Sequence, residues 1–485
     1  MDYYIGIDIG TTSTKAVAFS ATGQVLARQS ISYPILHPQK NRSEQQPDKI
    51  LEAVIYCLHN IAIQLPQYNP ALISFSAAMH SLILMDAENN PLTDCIIWAD
   101  NRASEFAIRL KKTEEGNRFY HTSGVPIHAM SPLCKLCWFK ENEPDFFNKA
   151  VKFIGIKEYI FHQLFGKYII DTAIASATGL LNSNSLEWEG NILAYAGIDK
   201  NQLSAIVPTT HIERLQPDIT SNLTERLHAF KQTSFVIGSS DGALANLGSG
   251  ATVKGSMAIT IGTSSAVRVV TQHAVTDNHM RTFCYHLSDE QYIIGGASNN
   301  GAIVLQWLKE NILQNDSTYD TFTSMAETIA PGCDDLLLLP YILGERAPLW
   351  NSNARAVYWG LDIKHTAAHM VRAAMEAVAF NTYSIGKILM EKATVDTIYA
   401  NGGFTESALW VQMLSDMFNL PVVVPIMEES SAFGAVMIGM QALKIPTAFI
   451  LKNGKSYKPD IARHEIYLKQ CNKMERLYEL VKNEF

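Results

Sequence analysis

Apolar runs near the N-terminus are separated by short polar breaks, and this pattern predicts β-strands. Residues 3–9, 15–20 and 24–32 each have the length and composition of a strand. The turn Ala-Thr-Gly at 21–23 joins the second of these strands to the third as a hairpin. A helix is expected at about 47–64, where a proline stands in the first turn.

Strands and helices continue to alternate along the next part of the chain. Residues 71–86 have strand character with a polar break at 79–81, Met-His-Ser. The alternation runs on to a further strand at 234–238, which is followed by Asp241 and a short helix. Such alternation is typical of an α/β protein.

The hairpin pattern of the N-terminus starts again at 257–270. A long amphipathic helix is predicted at 366–391, because its apolar residues recur at near-helical spacing. The remaining predicted elements alternate once more: a strand at 395–401, a helix at 405–418, a strand at 421–425, a helix at 431–443 and a charged amphipathic helix over 462–485.

A domain boundary is expected where the composition shifts. Residues 247–257 are rich in Gly, Ser and Thr, and a chain of 485 residues is too long for one ordinary core. We therefore predict two domains, 1–247 and 253–485, that share one plan. A duplicated domain is expected to form a cleft between its copies, and such clefts hold small ligands.

Composition excludes several classes of protein. Hydrophobic residues make up 47% and charged residues 18%, with a net charge of -8, which argues against a general nucleic-acid binder or a membrane-surface protein. The N-terminus does not resemble a signal peptide, and the longest apolar runs, such as 432–443, are too short to span a bilayer. Seven scattered cysteines suit a reducing compartment, so a cytoplasmic protein is expected. Cys134 and Cys137 are predicted to be core residues rather than metal ligands.

Two turns with related sequences stand at the start of the two halves. Each joins two apolar strands and is lined with Gly, Thr and Ser, so its backbone N–H groups and hydroxyls can converge on one anion. A plain Thr-rich hairpin is the alternative for either turn alone, but the repetition favours a clasp for a polyphosphate such as ATP. The phosphate-binding candidates are Gly10, Thr11, Thr12, Ser13, Gly262 and Thr263.

The first copy contains an acid and a base that the second lacks. Asp8 corresponds to Thr260 in the second copy, and Lys15 has no counterpart there. Mg²⁺ bound to a nucleotide keeps several waters and takes few carboxylates, whereas a second acid would repel the phosphates. Asp8 is therefore the metal-ligand candidate. Lys15 is either a phosphate contact or a solvated strand residue.

The chain resembles the FGGY carbohydrate kinases. Residues 130–142 contain Pro132, Lys135 and Trp138 at the spacing of that family's first signature, and residues 356–376 are similar to the second. With Asp-x-Gly-Thr-Thr near residue 8 and Asp-Gly at 241, the similarity covers about 3–445. The resemblance implies two actin-like, ribonuclease-H-like ATPase domains, the first for the sugar and the second for ATP, with Mg²⁺ as the accompanying cation.

The resemblance also implies roles for particular residues. Asp241 matches the general base of the family, although from the residues alone it is equally a helix N-cap. Asp8 matches the residue near Mg²⁺ and the reacting hydroxyl, and Met79-His80 matches a segment that contacts the sugar. Further expected sugar contacts are Trp98, Asp100 and Arg102, and further expected ATP contacts are Lys15, Gly402, Gly403, Ser407 and Gly434. Gly434 has packing as its alternative.

The substrate expected from the resemblance is D-gluconate. The stretches 78–86, 97–102 and 342–361 look most like gluconate kinases, and the product would be 6-phospho-D-gluconate. A xylulose kinase, or another polyol or ketose kinase, is the alternative. The carboxylate of gluconate needs a cation, and the candidates are Arg102, Lys135, Arg346 and His80.

Other classes of function remain as alternatives. The same duplicated fold serves chaperone-type and actin-like ATPases without a sugar substrate, but no further domain of useful length follows residue 450. A dinucleotide oxidoreductase is disfavoured because the first Gly-rich turn leads into a strand rather than a helix. The sequence leaves a homodimer open and does not indicate affinity or regulation.

Overall fold

The computed structural model describes residues 2–215, 225–426, 429–446 and 453–485. Within these ranges, every helix falls short of the length and apolar character that a bilayer span requires. The strands in chain order are β1 (Asp2–Ile9), β2 (Ser13–Phe19), β3 (Val25–Ser32), β4 (Glu44–Gln45), β5 (Asn69–Ala77), β6 (Ile83–Met85), β7 (Cys95–Ile96), β8 (Lys152–Ile154), β9 (Ile169–Asp171), β10 (Ala205–Val207), β11 (Ile212–Glu213), β12 (Ser234–Ser240), β13 (Gly255–Ile261), β14 (Ser265–Thr271), β15 (Phe283–Ser288), β16 (Gln291–Ser298), β17 (Leu337–Leu339), β18 (Val357–Trp359), β19 (Val395–Asn401), β20 (Val422–Pro425) and β21 (Asn453–Tyr457).

The helices lie between these strands. In chain order they are α1 (Pro47–Gln64), α2 (Ser104–Lys111), α3 (Glu114–Ser123), α4 (Pro132–Asn142), α5 (Pro144–Lys149), α6 (Ile156–Phe165), α7 (Thr172–Ser176), α8 (Gly190–Ala196), α9 (Asp241–Gly248), α10 (Ile303–Trp307), α11 (Tyr319–Ser324), α12 (Ala367–Met390), α13 (Ala408–Phe418), α14 (Ser430–Ala442) and α15 (Ile461–Val481). The predictions of helices at 47–64, 366–391 and 431–443 are confirmed, since the observed bounds differ by at most one residue at each end.

The described residues form two compact units. Unit 1 contains the described parts of 1–249, 271–293 and 427–450, and unit 2 contains those of 250–270, 294–426 and 451–485. The first break lies close to the predicted boundary at 247, but unit 1 also takes up two later segments. The prediction had assigned both of those segments to the second domain.

Helix α14 shows why the later segment belongs with unit 1. A Cβ on Gly6 of β1 would lie 2.0 Å from the carbonyl oxygen of Ala432, and one on Gly434 would lie 2.1 Å from that of Leu244 in α9. Backbones approach this closely only where side chains are absent. The glycines therefore let α14 pack directly on β1 and α9, which residue-by-residue patterning does not predict.

Unit 1 is built on a six-stranded sheet in the order β11-β12-β5-β1-β2-β3. Strands β12, β5 and β1 are parallel, whereas β2 and β3 continue antiparallel. Ile5 and Ile7 of β1 contribute to the core that also holds Val54 of α1 and Phe161 of α6. Because successive side chains of a strand point to opposite faces, Gly6 faces α14 instead. The sheet is thus covered by helices on both faces.

Unit 2 repeats this plan. A run of its strands is ordered β14-β13-β19-β20-β21, in which β13, β19 and β20 are parallel and β14 pairs antiparallel with β13. Helix α12 has Val371, Val378 and Ile385 among its fully buried residues. The predicted α/β class and the predicted repetition of the N-terminal hairpin in the second half are both confirmed.

Candidate active site

Three parallel strands of unit 1 end at the same edge of the sheet. Asp8 of β1 is in register with Ser76 of β5, and Ser76 is in register with Ser239 of β12. Asp241 follows directly after β12. Parallel strands present their carboxyl ends on one side, and ligands of α/β proteins bind there. The structure thus brings Asp8 and Asp241, which the sequence places far apart, to one end of the sheet.

A bulge in β12 directs its end towards this edge. The pairing with β5 shifts between Val236 and Ser239, and Gly238 has φ +68°. A Cβ on Gly238 would lie 1.8 Å from the carbonyl oxygen of Phe75. Only glycine can occupy this position, because a side chain would collide with the neighbouring strand. Bulges of this kind commonly redirect side chains next to active sites.

Asp241 is the first residue of α9 but not its cap. The hydroxyl of Ser240 accepts a hydrogen bond from the backbone N–H of Ala243 at 3.4 Å, which makes Ser240 the N-cap. The half-buried Asp241 carboxylate accepts from the N–H of Gly242 at 2.6 Å. The positive end of the helix favours its ionised form. The alternative of a capping role therefore falls to Ser240, and the general-base role of Asp241 stays a prediction.

The carboxylate of Asp8 lies in a negatively charged setting. Its pKa is raised to about 6, chiefly by desolvation in the surrounding protein; the Ser76 hydrogen bond and the Lys15 charge lower the pKa, whereas the charges of Asp241 and Glu429 raise it. The Ser76 hydroxyl donates to its Oδ1 at 2.7 Å. Mg²⁺ bound to a nucleotide keeps several waters and needs few protein carboxylates. The donor set therefore fits Mg²⁺, with Asp8 as the predicted ligand.

Lys15 forms an ion pair that the sequence did not predict. Its Nζ donates to Oε2 of Glu429 at 2.8 Å, across 414 residues of sequence. Sequence analysis allowed only one acid near the phosphates, yet Glu429 lies close enough to influence Asp8. Glu429 directly precedes α14, so the packing of α14 on β1 carries it to this site. The phosphate role of Lys15 stays a prediction.

The first Gly-Thr turn is held by hydrogen bonds from several side chains. Gly10 N donates to Ser13 O at 3.0 Å. The Tyr33 hydroxyl donates to the Gly10 carbonyl at 2.7 Å, and the Gln45 amide donates to the Thr11 carbonyl at 2.6 Å. These contacts fix the loop backbone before any ligand is present. Thr12 is the exposed residue of the turn.

The indole of Trp98 lies against this turn. Its Nε1 donates to the Thr11 hydroxyl at 2.9 Å. Trp98, Met79, Gly10 and Thr11 line one recess of about 270 Å³, counted with its opening to solvent. An aromatic wall beside backbone and hydroxyl groups suits a small polyhydroxylated ligand. Four predicted site residues from three separate stretches are thereby brought together.

His80 is fixed in an unusual conformation by three neighbours. Its backbone φ is +68°. Its Nδ1 lies 2.8 Å from the Ala177 carbonyl and therefore carries a proton, while Nε2 lies 3.4 Å from the Tyr285 hydroxyl. Its own carbonyl accepts from Lys135 Nζ at 2.6 Å. Strained residues persist where their surroundings determine them fully, as at ligand sites.

Lys135 serves the interior rather than a substrate. It is fully buried and donates to the carbonyls of His80, Ile97 and Ile96 at 2.6, 2.8 and 3.3 Å. Burial lowers its pKa to about 7, against the opposing effect of Asp100. Its ammonium holds the strand ends on which His80 and Trp98 depend. Lys135 is thus already engaged with protein groups and does not offer a cation to a carboxylate.

Asp100 and Arg102 form an internal network. Both Asp100 oxygens accept bonds, Oδ1 from Arg102 Nε at 2.8 Å and Oδ2 from the backbone of Ser43 at 2.8 Å. Arg102 also pairs with Glu44, and its side chain is 3% exposed. Neither side chain lines the recess that contains Trp98. Direct contact of Asp100 or Arg102 with a sugar stays a prediction.

The second Gly-Thr turn lies in unit 2 and is supported by its own neighbours. Gly262 N donates to Ser264 O at 2.9 Å, Ala302 N donates to Gly262 O at 2.7 Å, and Gly301 N donates to the exposed Thr263 at 3.1 Å. A Cβ on Gly262 would meet no heavy atom within 4 Å. Open space beside a Gly backbone leaves room for a phosphate. Both turns are thus closed by a hydrogen bond from the glycine N–H to a serine carbonyl.

The remaining residues that were predicted to contact ATP occupy different structural positions. Gly402 has φ +103°, and a Cβ there would lie 2.4 Å from the Ile261 carbonyl, whereas Gly403 faces open space. Ser407 is the N-cap of α13. Gly434 packs against Leu244 in unit 1, which supports its packing alternative. The nucleotide roles of these four residues stay predictions.

Arg346, the remaining cation candidate, belongs to a buried cluster of unit 2. Its guanidinium donates to the Ser298 carbonyl at 3.2 Å. The neighbouring Glu345 is fully buried and accepts from Ser298, Asn300 and Asn381, while burial raises its pKa. This cluster fixes the segment that supports Gly262 and Thr263. Arg346 therefore has a structural role in unit 2 through its hydrogen bond to Ser298.

The cysteines behave as packing residues. Cys134 and Cys137 are buried in the core with Leu133 and Phe139, and burial raises the pKa of Cys134 to about 11. Across the part of the chain that the structure describes, no cluster of three or more His, Cys, Asp or Glu side chains could enclose a metal ion. The prediction of core packing for the two cysteines is confirmed.

Comparison with protein families gives a match over most of the chain. The model described as the FGGY family of carbohydrate kinases, N-terminal domain, matches residues 3–248, and the corresponding C-terminal domain matches 257–443. A gluconokinase of Bacillus subtilis (strain 168) is 45% identical over 452 residues, which cover 91% of this chain and 87% of the relative.

Two solved structures from Lactobacillus acidophilus have nearly the same fold. A gluconate kinase superposes with a TM-score of 0.94 at 32% identity and covers 99% of this chain and 98% of its own. A ligand-bound xylulose kinase also gives a TM-score of 0.94 at 32% identity, with 99% of each chain covered. Overall fold therefore does not distinguish between these two activities.

Proposed function

Because the chain belongs to the FGGY family of carbohydrate kinases, we propose that its acceptor is D-gluconate and its product 6-phospho-D-gluconate. The observation that carries the choice of sugar is the 45% identity to a Bacillus gluconokinase over 91% of this chain. The family implies ATP as the phosphoryl donor. The alternative of an actin-like or chaperone-type ATPase without a sugar substrate is set aside by membership of a carbohydrate kinase family.

In the proposed reaction, Asp241 orients the attacking hydroxyl of gluconate and accepts its proton. The hydroxyl oxygen forms a bond to the γ-phosphorus as the bond between that phosphorus and the β–γ bridging oxygen breaks, so ADP leaves with the bond's electron pair. Phosphoryl transfer has a loose transition state, so orientation matters as much as proton removal. The place of Asp241 at the N-terminus of α9 supports this role.

Asp8 is proposed to hold Mg²⁺ through its carboxylate, with Ser76 fixing the other oxygen. Bound Mg²⁺ would neutralise charge on the phosphates. Loss of the Asp8 charge weakens the attraction of this site for a cation, because the carboxylate is its proposed protein ligand for Mg²⁺. Asp8→Asn is expected to raise the Mg²⁺ concentration needed for half-maximal rate at least about tenfold. An unchanged Mg²⁺ titration would remove Asp8 from this role.

The carboxylate of gluconate is proposed to be bound without Arg102 or Lys135. Arg102 is already paired with Asp100 and Glu44, and Lys135 already serves three carbonyls. Using either one would leave buried groups unpaired, which is costly. The recess that contains Met79 and Trp98 instead offers an aromatic surface beside the Thr11 loop for the polyol chain.

The test is an ADP-release assay over a panel of acceptors, including D-gluconate, D-xylulose and glycerol. The kcat/KM for D-gluconate should exceed that for D-xylulose by at least about 100-fold, since a site built for a carboxylate loses that interaction with a ketose. The reverse order would transfer the assignment to a xylulose kinase. That runner-up is supported by the equal structural similarity to a xylulose kinase.

A further inference from the structure

Lys157 is a fully engaged ammonium beneath the end of β12. It lies in the first turn of α6 and is 2% exposed. Its Nζ donates to Asp171 Oδ2 at 2.7 Å and to the carbonyls of Ile237 and Ser239 at 3.1 and 2.9 Å. Three acceptors match the three N–H donors of an ammonium group, so the geometry selects the charged form.

The two carbonyls lie on either side of the bulge in β12. Ile237 precedes Gly238 and Ser239 follows it, so one ammonium bridges the irregular peptide units. At a bulge, the regular ladder of hydrogen bonds is interrupted. Lys157 supplies hydrogen-bond donors to the two carbonyls at this bulge. The next residues along the chain are Ser240, the cap of α9, and then Asp241. The ammonium therefore contacts the strand within two residues of Asp241.

Asp171 keeps Lys157 in place. Its Oδ2 accepts from Lys157, and its Oδ1 accepts from the backbone N–H groups of Ala173 and Ile174, which caps α7. Both oxygens are thus committed, and Asp171 itself is fully buried. A side chain with every acceptor occupied has little freedom to rotate. The pair forms a rigid support behind the bulge.

Electrostatic effects on Lys157 act in both directions. Burial lowers its pKa, while the carboxylates of Asp171 and Asp241 oppose that shift. The interaction with Asp241 places the ammonium within electrostatic reach of the group that the proposed function uses as a base. Sequence patterning missed Lys157, because a lysine beside a glutamate at a helix start resembles a solvated position.

We propose that Lys157, oriented by Asp171, is a positioning residue for phosphoryl transfer that fixes the bulged end of β12 so that Asp241 meets the acceptor hydroxyl. This inference rests on the proposed function, since it assigns the positioning to a kinase reaction. If the role of Lys157 were purely structural, the same contacts would contribute only to the stability of the fold. The two roles predict different kcat values for a variant in which the charges of Lys157 and Asp171 are both removed.

The experiment compares Lys157→Met with the double variant Lys157→Met/Asp171→Asn. The single variant leaves the buried Asp171 carboxylate unpaired, so both its thermal unfolding temperature and its activity should fall. The double variant removes both charges, and its asparagine oxygen still caps α7. Its unfolding temperature should return most of the way to that of the unmodified enzyme. The kcat should stay about 10- to 100-fold lower, with the KM for the sugar changed less than about threefold.

Two further variants complete the design. Lys157→Arg keeps a buried cation with several donors, so it should recover part of the lost kcat. Lys135→Met removes a second buried ammonium, one that bonds to three carbonyls in unit 1. Because Lys135 supports His80 rather than Asp241, its loss should raise the KM for the sugar more than it lowers kcat.

Several outcomes would overturn the inference. Recovery of kcat together with the unfolding temperature in the double variant would assign Lys157 to stability alone. A kcat loss in Lys135→Met as large as that in Lys157→Met would show that any missing buried ammonium has this effect. An unmodified enzyme that phosphorylates none of the sugars would overturn the proposed function as well, whereas a failure confined to the variants concerns Lys157 only.

Discussion

At the scale of single residues, the candidate site depends on side chains whose partners lie far away in the chain. Asp8 and Asp241 could be chosen because an acid after a strand end is a recognisable pattern, and the sheet brings both to one edge. Glu429 could not be chosen, because its meeting with Lys15 across 414 residues depends on helix packing. Asp100 and Arg102 have suitable chemistry for a sugar, yet their side chains bond to each other. Sequence patterns do not reveal which polar groups are already satisfied.

Replacement of Asp241 by asparagine tests the general base. The amide cannot accept a proton, but it occupies nearly the same volume at the start of α9. We expect kcat to fall by about 10²–10⁴-fold, with little change in the KM for ATP. Initial rates measured over a matrix of ATP and sugar concentrations check this. As the matched control, Asp86→Asn alters an aspartate on an exposed turn and should leave kcat near normal; turnover equally near normal in Asp241→Asn would exclude the role.

At the scale of elements, hydrophobic periodicity predicted the long helices and the repeated hairpins, while several close contacts between elements depend on glycines. The long helix α12 and the repeated hairpins follow from apolar spacing, and the structure confirms them. The bulge at Gly238 and the close approach of α14 to α9 depend on absent side chains and on registers set by distant strands. Local patterns do not carry that information, so these features could not be predicted.

The crossing of α14 and α9 depends on Gly434. A methyl group there would collide with the Leu244 carbonyl, since the added Cβ would lie 2.1 Å from it. Gly434→Ala should lower the free energy of unfolding by about 1–3 kcal/mol, as overpacking does. Gly190→Ala is the control, because a Cβ there meets nothing within 4 Å, and it should change stability by less than about 1 kcal/mol. Chemical denaturation of both variants measures the difference, and equal stabilities would contradict the packing assignment.

Glu158 at the start of α6 should make stability depend on pH. Burial raises its pKa from 4.5 to about 7, and its carboxylate accepts from the N–H of Gly155. The folded state therefore holds this proton more tightly than the unfolded state, so the resulting stability is complete below pH 4.5 and is lost as pH rises through 7. Relative to Glu158→Gln, the enzyme should lose up to about 3 kcal/mol between pH 4.5 and pH 8. Parallel denaturation curves of the two proteins across this range, with no divergence, would contradict the assignment.

At the scale of the whole molecule, the repeated α/β plan was the most predictable feature. The two sheets share a hairpin followed by parallel strands, and the chain has the FGGY kinase fold throughout. The division of the chain was less predictable, because segments after residue 250 return to unit 1. A shift in composition indicates a domain boundary, but it does not indicate which later segments pack with the first domain.

Binding of the correct sugar should be visible in the unfolding of the whole protein. A ligand present at 100 times its Kd adds about 2.7 kcal/mol to the stability of the state that binds it. D-gluconate should therefore raise the midpoint of thermal unfolding in a concentration-dependent manner. D-xylulose at equal concentration serves as the matched ligand and should shift the midpoint much less. A larger shift with D-xylulose would contradict the proposed acceptor.

Helix α14 lies late in the chain but completes the sheet of unit 1. During synthesis, β1 and β5 leave the ribosome long before the residues that cover one of their faces. That face must stay exposed until nearly the whole polypeptide has been made. Domains usually fold one after another as they emerge, but here the N-terminal unit has to wait for a segment near the opposite end. Its nascent form is thus a natural client for chaperones, and a chain interrupted before residue 430 would leave the unit permanently unfinished.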